Sequence, residues 1–101
     1  MKAVAIIPAR MGSSRFPGKP LANILGLPMV EHVRRRVAMS KILSEVYVAT
    51  CDKEIQQEIT ALGGKSIMTS SSHQRASDRT AEAAHSLDAE IIVMVQGDEP
   101  M

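Results

Sequence analysis

AVAIIPARMGSSRFPGKP, residues 3 to 20, is the stretch on which the fold turns. An apolar run from Ala3 to Ile7 opens into Gly12 and Gly18, set among prolines and the cations Arg10, Arg15 and Lys19. No acidic residue occurs in the first 20 positions, so their formal charge is +4. A buried strand that opens at its carboxyl end into a cationic, glycine-containing loop is how α/β proteins hold phosphates. The stretch predicts a polyphosphate grip at the end of a first parallel strand.

Residues 3 to 9 read as a strand apolar on both faces, with Pro8 near its end. A loop over 10–27 follows, punctuated by Pro17-Gly18 and Gly26, and its length marks it as functional. Met29 to Met39 reads as a helix with Met29, Val30, Val33 and Val37 on one face and Pro28 at its first turn. Arg34, Arg35 and Arg36 are expected on its solvated side. Glu45 to Thr50 is a second strand, and Asp52 is placed to N-cap a helix over 53–62 that Gly63-Gly64 ends. A third strand over 65–69 and a polar loop over 70–76 follow. Ser77 is expected to cap a helix over 78–87, packed on the sheet through Ala81 and Ala84, and a fourth strand covers 90–95. The alternation implies a mainly parallel sheet with right-handed crossovers. A strand order of 3-2-1-4 sets the first and fourth strands side by side at a switch point, where such sheets bind ligands.

Composition limits the function classes. One domain fits in 101 residues, and 45% hydrophobic with 23% charged residues is ordinary for a globular chain. A net charge of +1 and only Phe16 and Tyr47 as aromatics argue against nucleic-acid and membrane partners. Cys51 is the single cysteine, so no internal disulfide and no CxxC metal site can form. The apolar run before Arg10 is too short for a signal peptide, and no stretch approaches a membrane span. The chain reads as cytoplasmic. Charge is polarised: residues 88–101 carry Asp88, Glu90, Asp98 and Glu99 and no base, a local −4. In a parallel sheet these carboxylates and the amino-terminal cations meet on one edge.

Counting separates this loop from two familiar ones. A Walker loop needs four residues between its glycines and then Lys-Ser or Lys-Thr. Gly12 and Gly18 have five residues between them, and Lys19 precedes Pro20. A dinucleotide fingerprint needs three close glycines opening a helix, and Gly12 stands alone. Pro8, Ala9, Arg10, Ser13 or Ser14, Arg15, Pro17, Gly18, Lys19 and Leu21 instead resemble the signature of sugar nucleotidyltransferases. Val93 to Pro100 (VMVQGDEP), the strand end Ala49-Thr50 with Asp52 after Cys51, and His73 to Glu82 bring the resemblance closer. With them the whole chain resembles the 3-deoxy-manno-octulosonate (Kdo) cytidylyltransferase, or CMP-Kdo synthetase, family. The third segment departs from that family's Ser-Gly-Thr-Glu as Arg75-Ala76-Ser77-Asp78.

The resemblance implies a three-layer, Rossmann-like (glycosyltransferase-A-like) α/β fold, of which residues 1–101 are the amino-terminal, nucleotide-binding half. Family members are longer, so the sugar-binding and dimerisation part, with a second metal-binding aspartate, would lie beyond residue 101. The implied reaction is CTP plus Kdo giving CMP-Kdo and pyrophosphate, for lipopolysaccharide or capsule synthesis, with Mg²⁺ as cofactor and a homodimer at full length. Ala9, Arg10, Gly12, Ser13, Ser14, Arg15, Lys19, His73 and Arg79 are the implied nucleotide-binding residues. Gln96 would contact the sugar. Asp98 would hold the metal, and Arg10, Lys19 and Asp98 would serve catalysis. Alternatives are another acceptor (8-amino-Kdo, an acylneuraminate, or the spore-coat polysaccharide type suggested by ARMGSSR) or a non-catalytic nucleotide-binding fragment. The 101-residue chain alone is expected to bind nucleotide weakly and not to turn over.

Overall fold

Alternate residues of β1 (Ala3–Pro8) face opposite layers, and each layer buries them completely. Val4 and Ile6 point to one side, Ala5 and Ile7 to the other, all fully buried. Only a central strand covered on both faces gives such a pattern. The computed structural model describes residues 2–11, 23–24, 26–71 and 76–95. Within them the chain runs β1, β2 (Asn23–Ile24), β3 (Leu27–Pro28), α1 (Met29–Ala38), β4 (Glu45–Thr50), α2 (Lys53–Ala61), β5 (Lys65–Met68), α3 (Ala76–His85) and β6 (Ile91–Met94).

Four of the described strands form a parallel sheet in the order β5-β4-β1-β6. This is the order expected from sequence. Ile6 lies between Tyr47 of β4 and Met94 of β6, and Tyr47 pairs in turn with Lys65 of β5. Helices α1 and α2 cover one face, where Val30, Val33, Val37, Ile55 and Ile59 pack on Ala5, Ile7 and Val48. Helix α3 covers the other, setting Ala83 and Ala84 against Val4, Ile6 and Ala49. A constant crossover hand requires this change of face, because the chain first moves from β1 to β5 and then returns past β1 to β6. Among the described residues no helix is long and apolar enough to cross a membrane.

Several local expectations need correction. The stretch expected to be loop up to residue 27 contains the antiparallel pair β2–β3, turned at Gly26 with φ +90°. Helix α3 starts at Ala76 and ends at His85, so Ser77 lies inside it rather than capping it. Ala81 is exposed, and Thr80, Ala83 and Ala84 form the packed stripe. Helix α2 ends as expected. Gly63 (φ +86°) and Gly64 donate to the carbonyls of Thr60 and Ile59, at 3.1 and 2.8 Å, in a Schellman turn that satisfies two end carbonyls.

Arg34 also departs from the solvated face assigned to it, while Arg35 and Arg36 are exposed as expected. Glu31 is fully buried, and Arg34 grips it with Nε and Nη2, both at 2.6 Å. Arg35 Nε adds a third bond at 2.6 Å from its half-exposed position. Burial by itself would raise the Glu31 pKa, but the hydrogen bonds from Arg34 and Arg35 outweigh it and hold the carboxyl below its ordinary value. Arg34 lies across Gly64, where an added Cβ would stand 2.6 Å from Arg34 Nε and 2.8 Å from Ile59 Cγ2. The pair therefore fastens α1 to the turn that ends α2.

Candidate nucleotide site

The amino-terminal edge of the sheet is closed by exposed ion pairs. Glu45 accepts from Lys65 at 3.2 Å and from the Tyr47 hydroxyl at 2.8 Å, with Lys2 at 3.6 Å. The carboxyl edge is built differently, from backbone groups, hydroxyls and the carboxylates of Asp52 and Glu82 around two arginines. Beyond β1, the Ala9 N–H continues the ladder to the Ala49 carbonyl at 2.9 Å. The next rung is unusual: the Met11 N–H donates to the Asp52 carboxylate at 2.8 Å. Arg10 sits between these two rungs, partly exposed, while Ala9 is buried in the core.

Across the edge, the Thr69 N–H donates to the carbonyl of Thr50 at 2.9 Å, carrying the β4–β5 pairing past Met68. Thr50 is fully buried, and its hydroxyl accepts from the Asp52 N–H at 3.1 Å. Arg79, near the start of α3, is only 2% exposed and donates from Nη1 to the Thr69 hydroxyl at 3.3 Å. Glu82 accepts from the Ser70 N–H at 3.0 Å, holding the start of the loop after β5 against α3. On the other side of β1, the Val95 N–H reaches the Ile6 carbonyl at 3.1 Å, so the chain leaves β6 alongside β1.

Of the residues proposed from sequence, the structure places Ala9 and Arg10 at the end of β1 and Arg79 beneath the end of β5. Gly12, Ser13, Ser14, Arg15, Lys19, His73, Gln96 and Asp98 lie outside the described residues. Among the described residues there is no cluster of three or more His, Cys, Asp or Glu able to hold a metal ion. Asp52 is the participant that sequence reasoning assigned elsewhere. It occupies the N-cap position of α2, but its side chain makes no capping bond and is spent on Met11 and, at 3.8 Å, the Cys51 thiol. A hydrogen-bond donor 41 residues away outcompetes the local N–H groups. The Ala49-Thr50 signature with Asp52 was the available signal.

A parallel sheet with its strand-order reversal beside β1, and an arginine held at that strand's carboxyl end, is a phosphate-binding architecture. The sequence pattern described as Cytidylyltransferase matches residues 4–101. The chain belongs to the cytidylyltransferase family. A cytidylyltransferase for 3-deoxy-manno-octulosonate from Geobacter metallireducens is 54% identical over 101 residues, 100% of this chain and 40% of that protein. The namesake from Escherichia coli is 50% identical over 100 residues, 99% of this chain and 41% of that one. The solved structure of a CMP:2-keto-3-deoxy-manno-octonic acid synthetase complexed with CTP superposes with a TM-score of 0.97 at 50% identity. That match covers 100% of this chain and 42% of the other. This cytidylyltransferase chain thus spans about 40% of the length of the relatives it matches.

Proposed function

We propose that this chain is the nucleotide-binding, amino-terminal part of an enzyme that transfers CMP from CTP to 3-deoxy-D-manno-octulosonate, serving lipopolysaccharide or capsule synthesis. In that reaction the acceptor hydroxyl oxygen bonds to the α-phosphorus as the bridging oxygen departs with pyrophosphate, and the hydroxyl proton passes to solvent. The observation that carries the reading is the superposition, over the full chain, on a synthetase complexed with CTP. The carboxyl edge supports it, since Arg10 is fixed there between the Ala9–Ala49 rung and the bond from the Met11 N–H to the Asp52 carboxylate.

Transfer at phosphorus depends chiefly on positioning and on neutralising charge at the leaving group. Arg10 and Arg15 grip phosphate oxygens through paired N–H groups, and Lys19 adds a point charge. Gly12 and Gly18 leave room for backbone N–H groups near the phosphates, with Ser13 and Ser14 as hydroxyl donors. His73 and Arg79 are the remaining nucleotide contacts in this reading, Arg79 acting from its buried seat against Thr69. Gln96 addresses the sugar.

Mg²⁺ is the cofactor in this reading, and Asp98 is its protein ligand. Asp98 follows Val95 by three residues, and Val95 is paired to Ile6 beside the exit of β1. A carboxylate supplied there suits a hard cation that keeps waters and substrate phosphates in its shell. Such a cation, when bound, offsets phosphate charge and acidifies the acceptor hydroxyl. The complete enzyme is proposed to be cytoplasmic and homodimeric.

The test is a nucleotide-by-sugar panel read as pyrophosphate release. It uses this chain and a chimera joining it to the remaining portion of the Geobacter metallireducens relative. The chimera should release pyrophosphate with CTP and Kdo, and the 101-residue chain alone should not. Preference of the chimera for another nucleotide, or for 8-amino-Kdo, an acylneuraminate or another sugar, would replace this reading.

A further inference from the structure

An aspartate at the N-cap position usually satisfies the first N–H groups of its own helix. Asp52 has the position and the extended backbone of a cap (φ −100°, ψ 120°), yet its carboxylate caps nothing in α2. Its Oδ2 accepts the Met11 N–H at 2.8 Å instead. A residue that breaks its local rule in this way marks a place where another requirement has won.

The geometry identifies that requirement. In the β1–β4 ladder the N–H of Ala9 meets the carbonyl of Ala49, so the next donor in step is Met11, two residues on. The Asp52 side chain takes that donor, replacing the last rung of the ladder with a charged acceptor. The carboxylate is itself braced: its own backbone N–H donates to the fully buried Thr50 hydroxyl at 3.1 Å, and the Cys51 thiol lies 3.8 Å from Oδ2. Arg10, whose flanking N–H groups are both tied to the end of β4, therefore leaves the sheet in a fixed direction.

We propose that Asp52 is a positioning residue, which sets Arg10 against the nucleotide's phosphates by anchoring the Met11 N–H. The proposal rests on the CTP-binding reading and deepens it. It does not make Asp52 a ligand of substrate or metal. Asparagine offers the same acceptor oxygen without the charge, and alanine offers none. An anchor that works through Arg10 also loses its effect once Arg10 is gone, which a purely structural role does not.

The experiment is CTP binding by calorimetry, with Mg²⁺, to the unsubstituted protein, Asp52→Asn, Asp52→Ala, Arg10→Ala and the Asp52→Ala/Arg10→Ala pair. Amide exchange at Met11 is followed in the nucleotide-free proteins. Asp52→Ala should weaken CTP about tenfold, the scale of one lost charge-assisted hydrogen bond, and Asp52→Asn by less than about threefold. In the Arg10→Ala background Asp52→Ala should change affinity less than about twofold. Equal effects in both backgrounds, or Asp52→Asn as weak as Asp52→Ala, would overturn the proposal. If the unsubstituted protein bound no CTP, the function reading would fail on its own account. Met11 exchange would then judge the anchor: faster in Asp52→Ala than in Asp52→Asn upholds it, and equal rates refute it.

Discussion

Glu31→Ala should lower the stability of this chain by about 3 kcal/mol, the scale for breaking a buried ion pair, and its melting temperature by more than about 10 °C. The reason is asymmetric. The fully buried Glu31 carboxylate meets Arg34 twice and Arg35 once, and removing it leaves the Arg34 guanidinium, only 15% exposed, to the longer 3.5 Å bond it makes with the Leu62 carbonyl. Gly64→Ala should act on the same fastening from the other side. The new Cβ would displace Arg34 and press on Ile59, at a cost of roughly 1–3 kcal/mol. Because the pair joins α1 to the end of α2, either change should loosen both helices without touching the carboxyl edge.

The pH dependence of that loss follows from the sign of the shift. Glu31 titrates lower in the folded protein than its ordinary 4.5, because the arginine bonds outweigh burial. Its contribution is therefore complete above the unfolded value and fades as pH falls through the folded one. Thermal unfolding of the protein and of Glu31→Gln should differ most above the ordinary carboxyl value of 4.5 and converge as pH falls below the lowered folded value. A constant difference across that range would show that the carboxylate charge is not what stabilises.

Asp98→Ala is the second large effect. In the chimera it should reduce pyrophosphate release by at least about a thousandfold, within the range that loss of a transition-state electrostatic group produces. In the 101-residue chain the same change should remove the Mg²⁺ dependence of CTP binding while leaving the metal-free affinity within about twofold, since Arg10, Arg15 and Lys19 remain. Near-normal release, or an intact magnesium effect, would take the metal away from Asp98.

How far the sequence could be read depended on how local each signal was. The central strand announced itself because Val4, Ala5, Ile6 and Ile7 are apolar without a break, as burial on both faces demands. EVYVAT matched β4 residue for residue, and the strand order assumed for the alternating elements is the one observed. Helix α3 was harder. Residues 76–85 contain alanines but no large apolar residue to fix the phase, so Ala81 was placed inward where Ala83 belongs. Strands β2 and β3, of two residues each, are too short to carry a period.

The misread charges share one cause. Arg34 looks like Arg35 and Arg36 until α2's terminal turn is brought against it, and Asp52 looks like an ordinary cap until Met11 arrives from 41 residues away. Tertiary partners decided both. The motif-bearing residues Arg10 and Arg79 were legible as site candidates because of the family resemblance. The burial of Arg79 against Thr69 depends on the packing of α3 and is invisible in the sequence.

In the proposed reading this chain forms a CTP site on the carboxyl edge of its sheet. Calorimetric titration of the 101-residue chain with CTP, UTP, ATP and GTP in the presence of Mg²⁺ tests it most directly. Weak but saturable binding of CTP is expected, at least about tenfold tighter than of the other three and weakened, not abolished, by Arg10→Ala. Equal affinity for all four nucleotides, or no binding of CTP, would contradict it.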